Sequence, residues 1–188
     1  LSEIVVGITG ASGAVYAKKL LETLAAEKHR IHLVASKTGA EIFRSENDVD
    51  VAQLAEAEPE WIKCYRNDDL HAPIASGSFQ TGGMAVVPAS MDVCGAIASG
   101  LAPTLITRAA AVTMKEGRRL VVVPRETPMS AVHLDNLAKL ARAGVVVMPA
   151  CPAFYTGPLQ VGDLVDFMVQ RICDALGIEV EIAPRWSR

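Results

Sequence analysis

Short apolar runs alternate with longer amphipathic stretches along this chain. The first run, residues 4–8, is apolar throughout and ends at Thr9-Gly10-Ala11-Ser12-Gly13. That pattern predicts a strand buried on both faces, followed by a tight loop. Residues 14–27 place Tyr16, Leu20 and Leu24 on one helical stripe. Further strands are predicted at 31–36, 85–88, 120–124 and 145–149, the last three β-branched, apolar and each ending in proline. Helices are predicted at 38–44, 49–57, 93–99, 105–115, 130–143 and 163–176. The last of these has Asp163 as its N-cap and Gly177 as its stop. Residues 63–83, dense in Gly, Pro, Asn and Asp, read as a long functional loop with little regular structure. The alternation predicts an α/β protein: an open, doubly wound parallel sheet in one domain over residues 1–188, with 178–188 as a polar tail. Ligands of such sheets bind outside the carboxyl ends of the strands. The loops 9–13, 36–39, 88–95, 124–130 and 149–158 are therefore the candidate ligand loops.

Composition narrows the function classes. The chain has 188 residues, 51% hydrophobic and 21% charged, with a net charge of -3. Such a chain is not disordered, and it lacks the basic excess that nucleic acid demands. Its mean hydropathy of +0.28 is high for a small domain and points to surface covered in an oligomer. The four cysteines form no CxxC pair, and the four histidines form no zinc motif. Reduced, mostly buried thiols and no metal are expected. The uncharged stretches 70–91 and 143–162 are interrupted by prolines and glycines, so no membrane span is expected. No secretory leader is visible, and the expected location is cytoplasmic.

Several loops carry chemistry. Gly7-Ile-Thr-Gly10-Ala-Ser12-Gly13 approximates a dinucleotide fingerprint, in which glycines let a phosphate or flavin approach backbone N–H groups. A nicotinamide enzyme is disfavoured. No Tyr has a Lys four residues on, and Ser36-Lys37 stands where an acidic ribose-binding residue is expected. Ser36 suits either a phosphate or a helix cap. Ser90 precedes a helix and suits a phosphate, while Asp92 complements the helix dipole. Arg125-Glu126 directly follows a strand, placing a fork for phosphate and a proton carrier where ligands sit. Arg108 and Lys115 share a helix face within a basic cluster that also includes Arg118, Arg119 and, later in the chain, Arg171. Ser76-Gly77-Ser78 offers an anion nest or merely a flexible loop.

These segments together resemble the UbiX-like flavin prenyltransferase family. The resemblance rests on Gly7 to Ala14, Ala75-Ser-Gly-Ser78, Arg108 to Glu116, Val123-Pro-Arg-Glu126, His133 to Leu140, Pro152-Ala-Phe-Tyr155, Asp163 to Gly177 and Pro184-Arg-Trp186. It spans nearly the whole chain. It implies a Rossmann/flavodoxin-like fold, FMN bound at subunit interfaces and a homododecamer. It also implies transfer of a dimethylallyl group from dimethylallyl phosphate to N5 and C6 of reduced FMN, without metal. The product would serve a UbiD-like decarboxylase. By the same resemblance, Gly10, Ala11, Ser12, Ser36, Ser90, Met91, Asp92, Val93 and Arg125 would contact FMN. Ser76, Gly77, Arg108, Lys115, Tyr155, Arg171 and Trp186 would contact the prenyl phosphate. Ser12, Glu46, Lys115 and Glu126 would lie nearest the chemistry. The chain departs from the family where Met91-Asp92-Val93 replaces Met-Lys-Thr after Ser90, and where Leu70 replaces a large aromatic.

Two other readings compete. An FMN-dependent decarboxylase of peptidyl-cysteine type shares the fold, but only Pro88-Ala-Ser90 of its PASANT motif is present, and His71 is its one loop histidine in a plausible region. A flavin-storing protein would not need Arg108, Lys115, Tyr155 and Arg171 together.

Overall fold

The opening apolar run forms β1 (Glu3–Ile8) near the middle of a parallel sheet. The computed structural model describes residues 2–186; Leu1, Ser187 and Arg188, the ends of the expected domain and tail, lie outside them. Along the chain follow α1 (Ala14–Ala26), β2 (Arg30–Ala35), α2 (Lys37–Asn47), α3 (Val51–Ala57), β3 (Ile62–Arg66), β4 (Gly83–Ala89) and α4 (Met91–Ala98). They are succeeded by α5 (Leu105–Lys115), β5 (Arg119–Pro124), α6 (Ala131–Arg142), β6 (Val146–Val147) and α7 (Val161–Leu176). The six strands run in the order β3-β2-β1-β4-β5-β6, all pairs parallel. The order reverses between β1 and β4, and that switch point opens a crevice at the strands' carboxyl ends.

Alternation along β1 shows why the sheet is covered on both faces. Ile4, Val6 and Ile8 pack into one layer with Leu20, Leu24, Phe43, Met168 and Ile172. Val5 points the other way, into a layer with Met84, Val86, Ile97, Ile106 and Leu140. Successive strand side chains face opposite ways, so only helices on both sides can bury such a run.

The structure departs from the sequence reading in the expected loop 63–83. Its first residues belong to β3, an edge strand that pairs with β2 from Ile31↔Ile62 to Ala35↔Arg66. Ile62 is buried, but Lys63, Cys64 and Arg66 are exposed, so no apolar run marks it. Its neighbour His32 is buried, with Nδ1 2.9 Å from the Tyr65 hydroxyl and Nε2 2.6 Å from Glu3 Oε2. The expected strand at 145–149 shrinks to two residues, although the Met148 and Ala150 N–H groups still reach the Val122 (2.9 Å) and Pro124 (3.0 Å) carbonyls of β5. Helix α7 starts at Val161, with Gln160 at its cap position. Asp163 sits inside the first turn, accepting from the N–H groups of Leu159 (2.8 Å) and Gln160 (3.1 Å). Those two hydrogen bonds and the Gln160 side chain hold its carboxyl below the usual carboxylate range. All four cysteines are free thiols, and two of them, Cys64 and Cys151, are exposed rather than buried. Among the described residues, no helix is long and apolar enough to cross a membrane.

Candidate active site

At the switch point, the Thr9 hydroxyl ties the ends of β1 and β4 together. It donates to the Pro88 carbonyl (2.8 Å) and accepts from the Ser90 N–H (2.7 Å). The chain then rises through Gly10-Ala11-Ser12 into α1. Gly13 takes the left-handed backbone that a tight entry needs (φ 108°). The first N–H groups of α1 are not left bare. Glu46, from the last turn of α2, accepts from Gly13 (2.9 Å) and Ala14 (2.7 Å) through Oε2. A carboxylate is favoured there by the positive end of the helix. Arg125 leaves the end of β5 and donates from Nε to the Ser12 carbonyl at 3.2 Å.

These residues line one open cleft of about 490 Å³, formed by Gly10, Ala11, Ser12, Glu46, Ser90, Met91, Asp92, Arg125 and Glu126 with Ile42, Ser45 and His133. Most of the residues expected to touch flavin are thus gathered in one place. Two are not. Val93 lies outside the cleft lining. Ser36 caps α2, its hydroxyl accepting from the Gly39 N–H at 3.0 Å, which is the cap alternative of the sequence reading. Thr9 and His133 were not singled out as site residues. Thr9 is hidden by its burial. His133 was signalled only by its motif, and its ring Nδ1 accepts from the Ser130 N–H (3.3 Å), so Nε2 is left for the cleft.

The cleft fits a flavin phosphate. Ser90 occupies the cap position of α4 without any side-chain cap hydrogen bond, leaving its hydroxyl and the first N–H groups of that helix for an anion. Among the described residues, the Arg125 side chain makes one hydrogen bond only, and its terminal amino groups stay unpartnered beside that helix end. Asp92, in the first turn, suits the dipole but adds a negative charge where the family carries lysine.

The expected prenyl-phosphate residues lie elsewhere, on two further surfaces. On the first, Arg108 Nε donates to the Ala75 carbonyl (3.0 Å). Gly77 packs against Lys115 and Glu116, and Arg118 grips the Gly77 (2.7 Å) and Phe79 (2.8 Å) carbonyls. Lys115 pairs with Glu116, whose carboxyl that bond and charge hold below its usual range. Lys115 precedes β5, whereas Arg125 follows it, so the two lie at opposite ends of the strands. The five steps of β5 between Arg119 and Pro124 alone span roughly 17 Å. On the second surface, the Tyr155 ring stands edge-on to Phe167 (6.0 Å) and Trp186 (4.9 Å), with Arg171 one turn beyond Phe167 on α7. None of Tyr155, Arg171 and Trp186 lines the cleft. His71 does not line it either; it is exposed, and its backbone N–H donates to Asp69.

The chain is similar to known proteins over nearly its whole length. The model of the Flavoprotein family matches residues 2–173. A flavin prenyltransferase, LpdB of Lactiplantibacillus plantarum, is 47% identical over 188 residues, covering 100% of this chain and 99% of its own. Among solved structures, AnUbiX (PadA1) in complex with FMN and dimethylallyl pyrophosphate superposes with a TM-score of 0.94 at 39% identity, covering 99% of this chain and 97% of its own. A protein from Escherichia coli O157:H7, described as a dodecameric FMN-dependent UbiX-like decarboxylase, gives 0.94 at 40% identity, covering 99% and 100%. Decarboxylases such as the cypemycin enzyme share only the fold, at 16% identity. With the fingerprint loop, the Arg125-Glu126 pair and full-length similarity in agreement, this chain belongs to the UbiX-like flavin prenyltransferases of the Flavoprotein family.

Proposed function

We propose that this chain joins a dimethylallyl group from a dimethylallyl phosphate to reduced FMN, in a site completed by more than one copy of itself. The observation that carries the proposal is the cleft, where Arg125 and Glu126 stand beside the uncapped end of α4 and the Gly10–Ser12 loop. Ser90, the α4 N–H groups and Arg125 would hold the flavin phosphate. FMN, when bound, supplies the ring positions N5 and C6 that take the dimethylallyl group. Breaking an allylic C–O bond leaves negative charge on the departing phosphate. Arg108, Lys115, Arg171 and the Tyr155 hydroxyl stabilise that charge where it grows. Ser12, exposed at the mouth of the cleft, orients the reacting groups. The carboxylates of Glu126 and Glu46 are the proton carriers.

In one chain the cationic surfaces on α5 and α7 do not line the cleft. Neighbouring copies supplying them would form a complete site, which accords with the dodecamer described for the Escherichia coli relative. Leu101, Phe154, Leu159, Val161 and Trp186, all at least 60% exposed, give such contacts apolar surface. The product fits the role of cofactor for a UbiD-like decarboxylase. Four free thiols suit a reducing compartment such as the cytoplasm.

The test is mass spectrometry of flavin recovered after anaerobic incubation of the protein with reduced FMN and either dimethylallyl phosphate or the diphosphate, without added metal. A flavin heavier by one five-carbon unit establishes the transfer, and the preferred donor follows from the two arms. Unmodified FMN in both arms refutes the proposal and turns the search to decarboxylation.

A further inference from the structure

The α7 surface contains a charge arrangement that the proposed chemistry leaves unexplained. Asp174, in the last turn of α7, receives two arginines. Arg171 Nη1 donates to Oδ2 at 3.0 Å. Arg185, in the tail, donates through both terminal nitrogens, to Oδ2 at 3.1 Å and to Oδ1 at 2.9 Å. A third donor, the Gln170 side chain, reaches Oδ1 at 3.1 Å. Asp174 is 19% exposed, whereas Arg171 and Arg185 are 55% and 52% exposed. Its burial opposes ionisation, but the hydrogen bonds from Arg185 and Gln170 and the charges of both arginines outweigh it and keep the carboxyl below its ordinary value.

Two consequences follow. The bidentate Arg185–Asp174 pair, with the Ile182 N–H on Gln170 Oε1 (3.0 Å) and Arg185 on the Val180 carbonyl (3.3 Å), fastens the tail along α7. The residue after Arg185 is Trp186, whose ring is thereby set against Tyr155. Meanwhile Asp174 uses one terminal nitrogen of Arg171. Among the described residues the other terminal nitrogen and Nε have no partner, so that edge of the fork faces outward for an anion. Glu179 and Glu181 add their charge to that of Asp174 around Arg185.

We infer that Asp174 and Arg185 are positioning residues for the prenyl-phosphate surface: Asp174 aims Arg171, and Arg185 holds the tail so that Trp186 stands against Tyr155. The inference rests on the proposed role of Arg171 and Tyr155 toward a phosphate.

The test is calorimetric titration of the FMN-loaded, full-length protein with dimethylallyl phosphate. Asp174→Asn, Asp174→Glu and Arg185→Gln are compared with the unchanged chain, and the same set is prepared with Trp61→Phe so that emission reports Trp186 alone. Asp174→Asn is expected to weaken binding about tenfold, as loss of one charge-assisted hydrogen bond would, and to red-shift Trp186 emission. Asp174→Glu should recover part of both effects. Arg185→Gln, at an exposed position that does not threaten folding, should move the emission and weaken binding less. Binding by Asp174→Asn and Arg185→Gln within twofold of the unchanged chain overturns the inference while leaving the proposed function intact. No binding by the unchanged chain overturns the donor reading itself, and the inference with it.

Discussion

Lys115 and Glu126 stand at opposite ends of the strands, so their cooperation can be tested by mixing two defective chains. Each of Lys115→Ala and Glu126→Gln, assembled alone, should keep FMN and lose prenyl transfer by about a hundredfold, the usual effect of deleting one stabilising or proton-carrying group. The separation, roughly 17 Å along β5 before either side chain is counted, means that the proposed site would take Lys115 from one copy and Glu126 from another. In an equal mixture each position is intact with a chance of about one half, so about one quarter of the sites regain both groups. That recovery lies well above the residual activity of either parent. The assay is co-assembly of two differently tagged chains, purification through both tags, and quantitation of prenylated flavin per protein by mass spectrometry. If both groups came from the same chain, no mixed site would be whole. Activity at the parental level in a verified mixed assembly would therefore refute the divided site, even with prenyl transfer itself established.

Other outcomes follow from single contacts. Arg125→Ala should weaken FMN binding by about 1.5–3 kcal/mol, or roughly ten- to a hundredfold; a flavin fluorescence titration within twofold of the unchanged chain would show that Arg125 does not hold the phosphate. The depressed Asp163 carboxyl contributes stability above its ordinary 3.8 and loses it as pH falls through the lower folded value. Asp163→Asn should accordingly lower Tm at neutral pH, with the gap closing in acid, and a gap independent of pH in calorimetric scans would contradict this. Gly177→Ala forces a side chain into left-handed backbone (φ 75°) and into the Arg119 guanidinium, which holds the Leu176 carbonyl. Its expected cost is about 1–2 kcal/mol, or roughly 2–8 °C in Tm, checked by thermal unfolding.

The buried strands were the easiest part of this fold to read. β1, β4 and β5 are covered on both faces, so each appears as an uninterrupted apolar run. β3 was invisible because only one side of it meets the core, and its Lys63, Cys64 and Arg66 look like loop. β6 was overestimated because the apolar run Val145 to Met148 extends beyond the two residues, Val146 and Val147, that form the strand. The cleft at the switch point was legible because the loops that follow parallel strands converge by topology, whatever their separation in sequence. Ser36 also follows a strand but lies outside the cleft lining, where its hydroxyl accepts from the Gly39 N–H and caps α2. Arg108, Lys115, Tyr155 and Arg171 were readable as chemistry but not as places. Sequence motifs carry no distances, and only the fold shows that α5 and α7 present them on different surfaces.

The two borders of the sheet decide how copies of this chain can meet. One border is β3, with Lys63 and Arg66 outward, and the other is β6, two residues long. Charged side chains on a five-residue edge strand and an edge of only two residues both discourage continuation by a neighbour's strand. Contact between copies is then favoured through side chains on helices and loops. A ladder of backbone hydrogen bonds would be nearly blind to which residues it joins; a side-chain contact is not. Helices and loops would then carry both the contacts that choose a neighbour and the proposed reactive groups, so a single change such as Lys115→Ala removes one reactive group and leaves most of the contact surface in place.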